Sequence, residues 1–133
     1  MGIGALSVLL DTHAALWLVQ GDPRLSRTAL SRIEELPRDQ IHISDMVLFE
    51  LGLLVSKKRV EITEPLEQFL HDFSNRFRIL PVDARIAALA IELPLPQADP
   101  FDRIFVAAAA RHKLPLVTRD QQIRDSGIVE TIW

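Results

Sequence analysis

The chain contains no cysteine. That absence rules out a disulfide framework and any thiolate-held metal centre, and it suits a reducing cytoplasm. Long hydrophobic runs are missing too. The stretch MVLF followed by LGLLV is broken by Glu50 and falls short of the roughly 20 apolar residues that cross a bilayer. The opening MGIGALSVLL has no basic flank and no small-residue cleavage site before it meets Asp11, so it reads poorly as a secretion signal. The expectation is a soluble, cytoplasmic protein without membrane attachment. Positive charge is not in excess either: 15 Lys and Arg against 18 Asp and Glu leave a net charge of −3. This argues against wholesale electrostatic binding to nucleic acid but leaves room for a local basic rim.

Common chemical signatures are also absent. There is no G-x-x-x-x-G-K-[ST] phosphate loop, and Gly2 and Gly4 precede the first apolar run rather than follow it. No G-x-S-x-G elbow or H-E-x-x-H pair occurs. The histidines at 13, 42, 71 and 112 are scattered without metal-ligand spacing, and His112 suits a helix C-terminus. Trp17 and Trp133 suit a core or an interface. The chain shows no repeat, low-complexity tract or linker. Its 133 residues, 48% hydrophobic and 25% charged, describe one globular domain over 1–133 with a core that needs no staples.

What is present is an alternation of strand-like and helical segments. SVLLD (7–11) reads as a strand and THAALWLVQ (12–20) as a helix ending near Gly21 and Pro23. Ser26 caps the amphipathic RTALSRIEEL, which Pro37 closes. IHIS (41–44) is a strand, followed by the long helix DMVLFELGLLVSKKR. A helix over TEPLEQFLHDFSNR is expected with its cap at Thr63 and Pro65 in the first turn. FRILPV (77–82) is strand-like, DARIAALAIEL helical and PLPQA a loop. A helix opens at DPFDR, LPLVT (114–118) is a strand, DQQIRDSG a short helical turn and VETIW a last strand. Strands rich in Val, Ile and Leu that alternate with helices predict an α/β fold, a mostly parallel sheet between helical layers. Ligands in such folds gather beyond the carboxyl ends of the strands.

Three acids fall where that edge should be, and a fourth opens a helix whose start could reach it. Asp11 ends the first strand, Asp120 follows LPLVT closely, Glu50 lies in the second turn of the helix after IHIS, and Asp102 lies in the first turn of a later helix. Glu50 stands out. Its neighbours are apolar on both sides, and a helix apolar all round is normally buried, so its carboxylate either reaches water or sits in a cleft. Buried without a partner, it would cost several kcal/mol. The other acids have simpler explanations. Asp11 and Asp120 can cap the helices that follow, and in DPFDR Asp99 at the cap, Pro100 and Asp102 make a good helix start without any chemistry. Thr12, Ser44 and Thr118 are hydroxyls beside these acids, and each also suits a cap or turn. The KKR run at 57 to 59 suits a solvated helix end.

The phrases VLLDTHAALW, ISDMVLFELG, DPFDRIFVAAAA and LPLVTRD, in that order, resemble a PIN domain, and more narrowly the VapC-type ribonuclease toxins of bacterial toxin–antitoxin modules. The likeness runs from Ser7 to Trp133 and implies a three-layer α/β/α sandwich. It places the family's acids on Asp11, Glu50, Asp102 and Asp120. Asp120 is the least constrained of the four, since some members carry Asn there. Asp99 is then the helix cap and Asp102 turns into an acidic cleft. Thr118 matches the hydroxyl of the fourth motif, with Thr12 and Ser44 in supporting places. The resemblance further implies hydrolysis of RNA phosphodiesters dependent on Mg²⁺ or Mn²⁺, leaving 5′-phosphate and 3′-hydroxyl ends. Asp11, Glu50 and Asp102 would be the main metal ligands, with Asp120 holding metal or orienting water. Arg103, Arg119 and the KKR run are the cations available for phosphates. Expected partners are RNA, a cognate antitoxin beside the site and a second copy in a homodimer.

Two other functions fit the same fold. A Mg²⁺-dependent phosphatase on a similar sheet commonly places a second Asp two residues after the first, where this chain has His13. A catalytically inert PIN-fold dimer that binds a partner would keep the architecture and lose the metal.

Overall fold

Five short strands lie side by side, all parallel, in a computed structural model that describes residues 7–96 and 98–133. Gly2, Gly4 and the start of the first apolar run fall outside the described residues, as does Gln97. Strand β1 (Val8–Leu10) is followed by α1 (Thr12–Gln20) and α2 (Arg27–Glu34). Next come β2 (Ile41–Ser44), α3 (Met46–Ser56), α4 (Leu66–Ser74), β3 (Arg78–Leu80) and α5 (Ala84–Glu92). The chain continues with α6 (Pro100–His112), β4 (Leu116–Val117), α7 (Gln121–Ser126) and β5 (Thr131–Ile132). Helices on both faces of the sheet make the three-layer sandwich.

The strand order is β3-β2-β1-β4-β5. The chain therefore builds outward from β1 to one side, then returns to add β4 and β5 on the other. The crevice between the carboxyl ends of β1 and β4 is the point at which the order reverses, where open parallel sheets bind ligands. Leu10 stands opposite Val117 in the register, and the Asp11 amide donates to the Val117 carbonyl at 3.1 Å. Asp11 and Thr118 thus leave the sheet side by side.

Local chemistry explains most boundaries. The carboxylates of Asp11, Asp83, Asp99 and Asp120 and the Ser26 hydroxyl each accept a backbone N–H in the first turn of the helix that follows. Gly21 and Gly127 close α1 and α7 at φ of 64° and 68°, a left-handed conformation that costs glycine little. The core is continuous, from Val8, Leu9 and Leu10 through Val47 and Leu51 to Val106 and Leu116. His42 is buried with Nδ1 3.2 Å from the Val8 carbonyl, a core histidine with its partner inside the protein.

Two expectations need correction, and one short element lies where the sequence pattern predicts none. The cap of α4 is Pro65 and not Thr63: no side chain caps that helix, and the exposed Thr63 lies two residues too early to reach its amides. A short 3₁₀ turn over Arg38–Gln40 precedes β2, because Pro37 ends one helical path and its fixed φ starts another. Helix α3, apolar all round, is not enclosed: only Val47 and Leu51 are fully buried, and Phe49 is 59% exposed. Among the described residues, no helix is long and apolar enough to cross a membrane.

Candidate active site

The carboxyl edge of the sheet opens into a cleft of about 310 Å³ at the β1–β4 crevice. Asp11, Glu50, Asp102 and Asp120, which span 110 positions of the chain counted inclusively, all line it, and Asp99 joins them. Each arrives by a different route. Asp11 directly follows β1 and caps α1, its Oδ1 accepting the Ala14 amide at 2.9 Å. Asp120 opens α7, with Oδ1 2.9 Å from the Ile123 amide. Asp99 caps α6 through Oδ1, which accepts the amides of Phe101 at 2.8 Å and Asp102 at 3.4 Å. Asp102, one turn into α6, takes no part in capping. Among the described residues no hydrogen-bond donor reaches its carboxylate.

The hydroxyls next to these acids have different fates. Thr12, buried at the head of α1, donates to Oε1 of Glu50 and so ties α1 to α3 across the cleft. Thr118 is buried, hydrogen-bonds the Asp11 carboxylate, and accepts the Asp120 amide at 3.1 Å. It links two acids with one oxygen. Ser44 stands apart from the cleft lining. Its Oγ accepts the Met46 amide at 3.1 Å, a turn role at the start of α3.

Crowding of negative charge shows in the acids' proton affinities. Burial pushes Asp11 from 3.8 to about 6. The Thr118 hydroxyl and the Ala14 amide pull the other way, while Asp120 adds repulsion. Asp102 rises from 3.8 to about 7, first through burial and then through repulsion from Asp11, Asp99, Asp120 and Glu50. Glu50 is raised as well, chiefly by burial, against the hydrogen bond from Thr12. The site holds more carboxylate than its own cations neutralise.

That donor set fits a hard divalent cation. All the donors are oxygens, and added positive charge would cancel the repulsion that lifts Asp102. Among the described residues, no three His, Cys, Asp or Glu side chains form a ready-made chelate as they stand. The carboxylates are spread around the cleft.

The two arginines expected near phosphate separate. Arg119 lines the cleft. Arg103 does not. Its Nη1 donates to the carbonyls of Ala90 at 2.9 Å and Leu93 at 3.1 Å, and its Nη2 to that of Leu95 at 2.6 Å. The expectation for Arg103 is corrected: its guanidinium pins the end of α5, where helical carbonyls lack intrahelical donors. The KKR run is exposed at the end of α3, with Lys57 as its C-cap.

Two cleft residues escape sequence reading, His13 and Trp17. Their rings are 5.5 Å apart on successive turns of α1. The i, i+4 spacing after Asp11 would have put them on one helix face. Burial lowers the His13 pKa, against the attraction of Glu50 and with the help of Arg119 and Arg24.

A family model described as "PIN domain" matches residues 8–128. The chain belongs to the PIN-domain family. A curated relative, Ribonuclease VapC22 of Mycobacterium tuberculosis, is 33% identical over 119 residues, 89% of this chain and 90% of the relative. Among solved structures, a toxin–antitoxin complex from Klebsiella pneumoniae is similar at 26% identity and a TM-score of 0.66, covering 92% of this chain and 95% of that one. VapBC2 from Rickettsia felis, bound to a promoter DNA fragment, aligns at 22% identity and a TM-score of 0.71 over 95% and 97% of the two chains. At that identity the likeness speaks for the fold. This PIN domain carries its acids at the crevice where the strand order of its parallel sheet reverses.

Proposed function

We propose that the protein is a divalent-metal-dependent endoribonuclease and the toxin of a toxin–antitoxin pair. The observation that carries this reading is the convergence of Asp11, Glu50, Asp102 and Asp120 on one cleft of a PIN domain. The named relative, a ribonuclease, supports the reaction class, and the solved toxin–antitoxin complex at 26% identity supports the setting.

In this reading the described chain works as one catalytic unit, with Asp11, Glu50 and Asp102 as the principal holders of Mg²⁺ or Mn²⁺, directly or through water. When bound, the cation supplies Lewis-acid stabilisation of the phosphate and a more acidic water. The chain's own residues do the rest. Thr12 and Thr118 keep Glu50 and Asp11 in place by donating to them. Asp120 spends Oδ1 on its cap and offers Oδ2 as the acceptor that orients the attacking water. Asp99 fixes the start of α6 and thereby the direction of Asp102. The exposed Phe49, next to Glu50 and 6.1 Å from Phe101 ring to ring, offers an apolar contact to an antitoxin segment laid beside the cleft. A second copy completes the assembly as a homodimer.

The test is cleavage of a labelled RNA by the purified protein. Cleavage is expected with Mg²⁺ or Mn²⁺, none with excess EDTA, and none from Asp11→Asn or Asp102→Asn. Equal cleavage in EDTA would remove the metal from the reading. Absence of RNA cleavage at any divalent-ion concentration would remove the reaction.

A further inference from the structure

Trp17 carries two arginines. Its indole is 2% exposed, fixed in α1 between His13 and Trp133, whose ring centroid lies 6.0 Å away. The guanidinium carbon of Arg24 sits 5.0 Å from the indole centroid and that of Arg119 sits 4.6 Å from it, both within cation–π range. The two cations are not equivalent. Arg24 is committed: its Nη2 pairs with Asp22 Oδ2 at 2.8 Å, and its Nε donates to the same carboxylate. Arg119 is exposed and lines the cleft, yet among the described residues it forms no ion pair, although several carboxylates share that cleft with it.

That is an unusual place for an unpaired arginine. Guanidinium and carboxylate pair readily through parallel N–H···O bonds, so a free arginine beside so many acids should collapse onto one of them. Stacking on a rigid indole offers an alternative, and the N–H edge of a stacked guanidinium stays available to a planar or tetrahedral oxyanion. Arg24, on the same ring but tied to Asp22, adds positive potential on this side.

We infer that Arg119, held off the catalytic carboxylates by Trp17, is the phosphate-docking residue of the cleft and grips the nucleic-acid backbone one contact away from the bond that is cut. The inference rests on the ribonuclease reading and adds to it a binding residue, Arg119, and a positioning residue, Trp17. It also explains how a polyanion enters an acidic cleft in a protein of net charge −3. One oriented cation at the rim sets the register, and the acids are left to the metal.

The experiment measures anisotropy of a 5′-fluorescein-labelled single-stranded RNA 12-mer bound to the full chain in Mg²⁺, across a salt series. It uses the Asp102→Asn background so that the probe survives. Arg119→Ala is expected to weaken binding about tenfold and to lower the slope of log K against log salt by about 0.7, the value for one phosphate contact on a single strand. Arg119→Lys should restore the slope but only part of the affinity, because the charge returns without the fork. Trp17→Phe keeps a ring in the core and should weaken binding about threefold with the slope unchanged. Arg124→Ala, an exposed arginine of α7 outside the cleft, controls for bulk charge and should leave binding as it was. In the otherwise unaltered chain, Arg119→Ala should raise KM for RNA cleavage with kcat nearly constant. Unchanged affinity and slope in Arg119→Ala, while the unaltered chain still cleaves RNA with Mg²⁺, would overturn this inference and leave the ribonuclease reading standing. Failure of the unaltered chain both to bind and to cleave RNA would overturn both.

Discussion

Replacing Asp102 by Asn should make the metal-free protein more stable while destroying its activity. The carboxylate is half-buried, receives no hydrogen bond among the described residues, and faces four other acids. Its folded-state pKa of about 7 lies well above the ordinary 3.8. A raised carboxyl favours the fold while protonated. Its contribution is fully present below about pH 4 and is lost as pH rises through 7. At about 1.4 kcal/mol per pH unit, a rise of about 3 units gives an upper bound near 4 kcal/mol. Solvent on the open side of the cleft screens part of this, so about 2 kcal/mol is a reasonable expectation. Asn has nearly the same shape and no charge, so it relieves the repulsion without opening a cavity.

For a chain of this length, about 2 kcal/mol moves the midpoint of thermal unfolding by about 8 °C. The assay is calorimetric or urea unfolding in EDTA at pH 4, 6 and 8. Asp102→Asn should match the parent at pH 4 and exceed it progressively to pH 8. Mg²⁺ should then stabilise the parent more than the variant, by RT ln(1 + [Mg]/Kd) for each. A gain equal at pH 4 and pH 8 would show that charge is not its source. Destabilisation at pH 8 would mean that the carboxylate has a partner that the described residues do not supply. Either result would refute the electrostatic account of the cleft.

Arg103→Ala should cost about 2–3 kcal/mol in urea unfolding, since three carbonyls at the end of α5 lose a charged donor. Arg103→Lys should recover only part of this, because one ammonium cannot span all three. Thr12→Val removes the hydroxyl that holds Glu50 down, so Glu50 should rise further. Because protons compete with cations for a carboxylate, Mg²⁺ binding by calorimetry should then fall off more steeply in the variant than in the parent as pH is lowered. Asp120→Ser keeps a capping oxygen for α7 and Asp120→Ala does not. Serine should therefore leave stability nearly unchanged and alanine should cost about 1 kcal/mol, while both lower RNA cleavage. Equal stability of the two would show that the cap does not matter at that position.

The elements were legible wherever a short-range rule governs them. Apolar runs marked the strands, and Asp11, Ser26, Asp99 and Asp120 marked helix starts, because a cap is a contact across two or three residues. Thr63 misled because a hydroxyl near a proline looks like a cap, whereas Pro65 already sets the backbone at that end. The exposure of Phe49 could not be read from α3 alone: which flank of an all-apolar helix stays open depends on how α1, α4 and α6 meet it. Arg103 and Arg119 look alike in sequence, each beside a candidate acid. Their fates diverge on tertiary grounds, one finding the unsatisfied carbonyls of α5 and the other the face of Trp17. The strand order that brings Asp11 next to Thr118 was likewise out of reach of any local pattern, and the resemblance to PIN domains implied only the layered fold and a shared acidic cleft.

The two explanations of DPFDR turn out to be compatible, and the reason is geometric. In a parallel sheet every strand ends at the same edge, and the helix that follows begins there. A residue that caps such a helix is therefore already at the ligand-binding edge. Asp11 and Asp120 cap the helices that follow β1 and β4 in this way, whereas Asp99 caps α6, which follows α5 and whose start also lines the cleft. Each gives one oxygen to N-terminal amides, which fixes the carboxylate near the positive end of a helix dipole. The second oxygen is left free of that cap, on a side chain that lines the cleft. Capping thus restrains the side chain before any cation arrives, and it does so with interactions that help the protein fold. Asp102 and Glu50 have no such role in the backbone. Asp102 has no hydrogen-bond partner among the described residues and Glu50 only the Thr12 hydroxyl, and burial together with repulsion from four acids raises Asp102 to about 7. The strain of the site is concentrated on the acids that local structure leaves free, and those are the positions where a divalent ion changes the energy most.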